Sequence, residues 1–228
     1  MSDERLQAAA RAWAEDAVAF GIEDVLVDRA AAPAESLAAP TDSPEKIAAE
    51  IAACTRCGLA ETRNRVVPGQ GSVEARIMFV GEAPGADEDA QGLAFVGRAG
   101  QLLTKMIGAM GFDREQVFIA NILKCRPPSN RNPRPDEVAC CLPFLKRQIA
   151  RIRPEILVAL GGIAMKNLLE TEASVGSMRG RVHDYDGTPL VVTYHPAYLL
   201  RSPDMKRMAW DDLKLALRTV GLKPPRRQ

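Results

Sequence analysis

Five cysteines carry the most distinctive chemistry in the chain: Cys54 and Cys57 in a C-x2-C pair, then Cys125, Cys140 and Cys141. A C-x2-C pair followed by further cysteines reads as a metal or cluster site in a reducing compartment. Adjacent helical residues point about 100° apart, so only one of Cys140 and Cys141 can face such a site. Cys141 falls in step with Val138, Leu145 and Ile152 and is the expected fourth thiolate. Four thiolates suit tetrahedral zinc or an iron–sulfur cluster, and their spacing does not separate the two.

The remaining chemistry lies in segments that follow short apolar runs. Gly81-Glu82-Ala83-Pro84-Gly85 leaves its run through two glycines and a proline, which turns the backbone sharply and exposes amides. It is neither a Walker loop nor a G-x-G-x-x-G fingerprint. Glu82, next to the run, is the acidic residue favoured for a functional role. Asp87, Glu88 and Asp89 divide evenly between function and a solvated acidic loop. Phe95, set between glycines, could stack on a planar ligand, and Arg98 with the helix start after it could receive a phosphate. Asn121 offers one acceptor and two donors, enough to grip a base edge. His195, fixed between an apolar run and Pro196, could stabilise a developing oxyanion. His183, beside a turn signal, reads as a surface residue.

The elements that must position these residues follow from the apolar patterning. Four short runs, Ile77–Val80, Val117–Ala120, Ile156–Leu160 and Leu190–Thr193, are bounded by Gly, Asn, Pro or His and predict buried strands. Helical patterns lie over Ala99–Met110, Pro135–Ile152, Ile163–Leu169 and Met205–Val220. The alternation predicts an α/β protein whose parallel sheet is covered by helices on both faces. In such a sheet ligands bind beyond the carboxyl ends of the strands, so the segments above should converge.

Charge and composition bound the rest. The net charge of +1 divides into −7 over residues 1–50 and +8 over 51–228. A basic body fits a polyanionic partner, and Lys124, Arg126, Arg131, Arg134, Arg179, Arg181, Arg201, Lys206 and Arg207 flank the loops in question. The apolar fraction of 46% excludes a wholly disordered chain. No stretch approaches the roughly 20 apolar residues of a bilayer span, and MSDERLQ lacks a signal-peptide flank, which predicts a cytosolic protein without membrane association. An acidic amphipathic helix and an Ala/Pro-rich linker are expected over residues 1–44, a catalytic domain over 45–222 and a basic tail over 223–228. With no exposed heptad, a monomer is expected.

Three segments, GEAPGADEDAQGLAFVGRAGQLL, NILKCRPPSNRNPRPDEVACCLPFL and HPAYLLR, together with the cysteine pattern, resemble the family 4 uracil-DNA glycosylases, the iron–sulfur branch of their superfamily. The resemblance implies a three-layer α/β/α sandwich with a four-stranded parallel central sheet. It implies a structural [4Fe–4S] cluster on Cys54, Cys57, Cys125 and Cys141, and uracil-containing DNA, single- or double-stranded, as the partner. It further implies that Gly81, Ala83, Phe95 and Asn121 bind the flipped base and that His195 donates to uracil O2. Leu199 would wedge into the vacated stack, with Arg98, Arg126, Arg131 and Arg201 on DNA. The best-known branch of the superfamily carries an Asp where this chain has Ala83, so the water falls to Glu82 first and Glu88 second. A related branch trapped on its product carries a nucleophilic His after the second strand, where this chain reads KCRPPSNR, so turnover is expected. A zinc-held, non-enzymatic nucleic-acid module and a glycosylase for other deaminated bases are the rival readings.

Overall fold

The computed structural model describes residues 42–224. The acidic helix and linker predicted over 1–44, apart from residues 42–44, and the last four residues of the basic tail lie outside the described residues.

Four central strands are built from near-continuous apolar runs: β2 (Ile77–Gly81), β3 (Phe118–Asn121), β4 (Ile156–Leu160) and β6 (Thr188–Thr193). They are fully or almost fully buried because helices cover both faces of the sheet. The alternation of β2 shows this directly: Met78 and Val80 enter one core, Ile77 and Phe79 the other. The first core receives α1 (Pro44–Ala52), α5 (Pro135–Ile152) and α6 (Gly162–Leu169); the second receives α4 (Arg98–Ala109) and α9 (Lys206–Thr219).

β2 pairs in parallel with β3 and with β4, and β4 pairs in parallel with β6. Two further strands, β1 (Gln70–Gly71) and β5 (Val182–Tyr185), add antiparallel edges, giving the order β1-β3-β2-β4-β6-β5. The sheet is therefore six-stranded and mixed, and the expected four-stranded parallel sheet lacked these two antiparallel edges. Both omissions have a physical cause. β1 is two residues long and has no apolar run, while β5 is largely exposed and buries only Tyr185 fully. The Asp186-Gly187 turn joining β5 to β6 has positive φ at both residues, 47° and 82°, the hairpin geometry that an Asp-Gly pair favours.

Local signals set the helix starts. Ser43 Oγ accepts from the Lys46 amide at 3.1 Å and Pro44 opens α1, whose buried Ile47 and Ile51 lead the chain to Cys54. Short α3 (Ala86–Gln91) follows β2, and α8 (Pro196–Arg201) follows β6. No helix among the described residues is long and apolar enough to cross a membrane.

Candidate active site and thiol site

Beyond the carboxyl ends of the strands, Gly81, Phe95, Asn121 and His195 come together. A Cβ at Gly81 would lie 2.5 Å from both Asn121 Oδ1 and Phe95 Cζ, so only glycine leaves those two side chains side by side. Phe95 adopts a left-handed φ of 52° and is buried, with its backbone pressed over Gly100, where a Cβ would lie 1.9 Å from the Phe95 carbonyl oxygen. Glu88 holds that bend. Its carboxylate accepts from the amides of Val96 and Gly97, both at 2.9 Å, and from Gly85 at 3.1 Å. Asp89 clamps the neighbouring segment, accepting from the amides of Asn64 at 2.9 Å and Arg65 at 3.3 Å and from the Asn64 side chain at 2.7 Å. Two of the acids that could have formed a solvated loop are thus internal clamps, and Asp87 alone of the three stays exposed.

His195 caps α8 and faces the Phe95 ring, with centroids 5.7 Å apart and planes inclined by 34°. Its Nδ1 accepts from the Ala197 amide at 3.1 Å, which leaves the ring proton of the neutral form on Nε2. Gly161, with φ 87°, lets the β4 loop pass beneath it; a Cβ there would lie 2.8 Å from His195 Cβ. Desolvation, with the positive charge of Arg201 adding to it, lowers the His195 pKa to about 4. The imidazole is therefore neutral at ordinary pH and can serve as an Nε2–H donor.

Asn121, at the end of β3, is 2% exposed, and its Oδ1 is buried with no hydrogen-bond partner. An unpaired buried acceptor costs about 1–3 kcal/mol, so its retention points to a ligand. Glu82 follows Gly81 directly and is half-buried, and burial raises its carboxyl above the usual range. Ala83 packs against the first core, whereas Phe95 belongs to the second.

Several outer positions differ from expectation. Leu199 is 1% exposed in the core and cannot reach DNA as it stands, whereas Tyr198 and Leu200 on the same helix are exposed. An apolar side chain in so short a helix can face inward or outward, and the sequence alone does not order the two leucines. The Arg131 guanidinium is occupied by a bidentate pair with Glu137, at 2.5 and 2.9 Å, and so braces the start of α5 instead of standing free for phosphate. Arg126 donates to Asn130 Oδ1 at 2.8 Å, while Arg98 and Arg201 are exposed. Two residues counted among the flanking basic groups are internal. Lys124 is 1% exposed, and Arg179 pairs with the fully buried Asp212, whose Oδ2 also accepts from Thr193 Oγ1 at 2.9 Å.

On the other side of β3, Cys54, Cys57, Cys125, Cys140 and Cys141 line one hollow with Ile51, Leu59 and Phe144. Cys125 Sγ accepts from Arg63 Nη1 and Cys141 Sγ from the Lys124 amide, both at 3.2 Å, whereas the Cys140 thiol donates to the Arg56 carbonyl at 3.3 Å. Burial raises the thiols of Cys57 and Cys125, and that of Cys141 to about 11. A bound cationic centre would reverse that penalty. Among the described residues, no three Cys, His, Asp or Glu side chains meet closely enough to hold a single metal ion.

The roles of Glu88, Lys124 and Gly161 escaped the sequence. The only signal for Glu88 was its place three residues after Gly85, the spacing of a helix-capping box.

Comparison with known proteins supplies the family. The model of the uracil DNA glycosylase superfamily matches residues 68–214. The type-4 uracil-DNA glycosylase of Sulfurisphaera tokodaii is 44% identical, the match covering 81% of this chain and 88% of that protein. Those of Archaeoglobus fulgidus and Thermotoga maritima are 41% and 43% identical, covering 81% and 75% of this chain and 96% and 92% of theirs. With a family model spanning most of its length and relatives this similar over nearly their whole chains, the protein belongs to the type-4 branch of the uracil DNA glycosylase superfamily.

Proposed function

We propose that this protein excises uracil from DNA, releasing the free base and leaving an abasic site. The observation that carries the reading is the buried, unpartnered Oδ1 of Asn121 beside the Phe95 ring, which in turn faces a His195 whose tautomer is fixed.

A base within a duplex is out of reach, so the nucleotide flips out at a cost of a few kcal/mol. The Phe95 ring stacks on the extruded base. Asn121 Oδ1 accepts from uracil N3–H, and its Nδ2 donates to O4. Cytosine offers a lone pair and an amino group at those positions, so both contacts turn repulsive or unpaired. Cleavage of the C1′–N1 bond sends its electron pair onto the base, where charge gathers on O2. His195 Nε2–H donates to that oxygen and stabilises the anion without giving up its proton. Water adds at C1′, and Glu82 orients it, takes its proton and balances the positive sugar. Glu88, committed to three backbone amides, supports the stacking loop and leaves the water to Glu82.

We assign the cluster ligands to Cys54, Cys57, Cys125 and Cys141, and the cofactor to [4Fe–4S]. Sulfurs spread around a hollow, two of them taking N–H donors, suit a polynuclear centre, and the Cys140 thiol is engaged with a carbonyl. When bound, the cluster would cross-link three chain segments, the Cys54–Cys57 turn and those carrying Cys125 and Cys141; hydrolysis itself is redox-neutral. Arg98, Arg126 and Arg201 track the phosphates, Leu200 fills the vacated stack, and the catalytic domain spans residues 45–222.

The test is incubation with a uracil-containing oligonucleotide followed by alkaline cleavage. Strand scission only at uracil supports the reading, and equal release of hypoxanthine and xanthine defeats the specificity argued for Asn121.

A further inference from the structure

Lys124 sits between the two sites and is spent in neither. The side chain is 1% exposed, yet its Nζ donates to the Asn121 carbonyl at 2.9 Å and to Gln148 Oε1 at 2.7 Å. Gln148, itself 7% exposed, passes the contact on through Nε2 to the Pro68 carbonyl at 2.7 Å. The Lys124 backbone is equally engaged, its amide on Cys141 Sγ at 3.2 Å and its carbonyl accepting from Val67 at 2.8 Å. Neither partner of the amine is an acid. A desolvated amine with neutral acceptors only is a poor device for stability, so placement explains it better.

We infer that Lys124 is a positioning residue for base recognition, fixing the Asn121 peptide from one side while its own backbone is tied to the cysteine site. The inference rests on the reading of Asn121 as the group that grips the base. Two bonds hold the next peptides, Ile122 N to Gly81 O at 2.9 Å and Leu123 N to Glu82 O at 3.0 Å. The Lys124 amine holds the remaining carbonyl and so pins the backbone that aims the carboxamide. A bidentate grip tolerates about 0.5 Å of error, which makes that third restraint consequential.

The experiment compares Lys124→Met, Gln148→Leu and Asn121→Ala in the full-length, iron-loaded protein. It measures iron per chain, visible absorbance, kcat and KM on a uracil oligonucleotide, and inhibition by free uracil. Lys124→Met and Gln148→Leu are expected to keep wild-type iron content and a KM within about twofold, while kcat falls and uracil inhibition weakens, each by about tenfold, the scale of one lost hydrogen bond. Should Lys124→Met lose its iron, Gln148→Leu decides. Wild-type uracil inhibition in Gln148→Leu, or loss of iron there as well, overturns the inference. Unchanged inhibition in Asn121→Ala removes the base-gripping role on which it stands, an outcome separable from failure of the Lys124 link alone.

Discussion

The base pocket and the thiol hollow flank the same stretch of chain, Asn121 to Cys125, and they are organised on opposite principles. In the pocket Phe95, His195 and Asn121 are already placed by protein. The carboxylate of Glu88 holds the Phe95 bend, the Ala197 amide sets the His195 tautomer, and glycine at 81 keeps the ring beside the carboxamide. In the hollow the thiols sit in apolar surroundings that favour their neutral form, with N–H donors at Cys125 from Arg63 and at Cys141 from Lys124. Preorganisation of the pocket lies in backbone hydrogen bonds and steric fit; that of the hollow would come from the centre we assign to it. Catalytic power and thermal stability should therefore separate by region.

The sharpest way to break this contrast is at the pocket. His195→Ala and Asn121→Ala are each expected to lower single-turnover uracil release by about 10²–10³-fold, with oligonucleotide binding unchanged and the melting temperature lowered by no more than roughly 2–4 °C, the scale of the helix cap that His195 supplies to α8. A matching loss of stability would dissolve the distinction between the regions. Next, Gly81→Ala should cost about a hundredfold in rate, because the added methyl collides with Asn121 and Phe95, the side chains proposed to grip the base. Its iron content should stay normal. Cys125→Ser should do the reverse, losing iron and visible absorbance and melting roughly 5–10 °C lower.

A subtler pair lies one residue apart. Leu199→Ala, emptying a core position, should destabilise by about 2–5 kcal/mol in denaturant titration. Leu200→Ala should leave stability unchanged and lower turnover on duplex substrate by about tenfold, since DNA extrusion loses its wedge. Equal effects on both would refute the placement of the wedge.

The smallest effects concern pH. His195 has a pKa of about 4 in the folded protein against 6.5 ordinarily, so the unfolded chain binds more protons there. Its contribution to stability is complete above pH 6.5 and is lost as pH falls from 6.5 toward 4. His195→Gln should flatten that part of the stability curve. If Glu82 positions the water as proposed, the acid limb of kcat/KM follows its carboxyl, raised by burial above its usual 4.5, and is expected to vanish in Glu82→Gln.

How far the sequence carried these conclusions varies with the kind of interaction. The central strands were legible because burial on both faces demands uninterrupted apolar runs, and α5 because Pro135 opens it and its stripe repeats through Ile152. Edge strands β1 and β5 left no such trace, since one-sided burial and glycine-rich pairing look like loop. Phe95, Asn121 and His195 stood out because each follows a strand or a glycine bend. Glu88, Lys124 and Leu199 were singled out too, but not where their side chains turn, because charge and hydrophobicity in a linear string do not reveal direction.

By itself the sequence determined the alternation of strands and helices, the four-thiol pattern and the residue types able to read a base, since these depend on local periodicity and on chemistry carried by single side chains. Only the tertiary structure decided which acid is a clamp and which is free, which of two adjacent leucines faces solvent, and that a lysine among basic neighbours is buried. Those outcomes depend on contacts between segments far apart in the chain, where packing overrides the composition of either one.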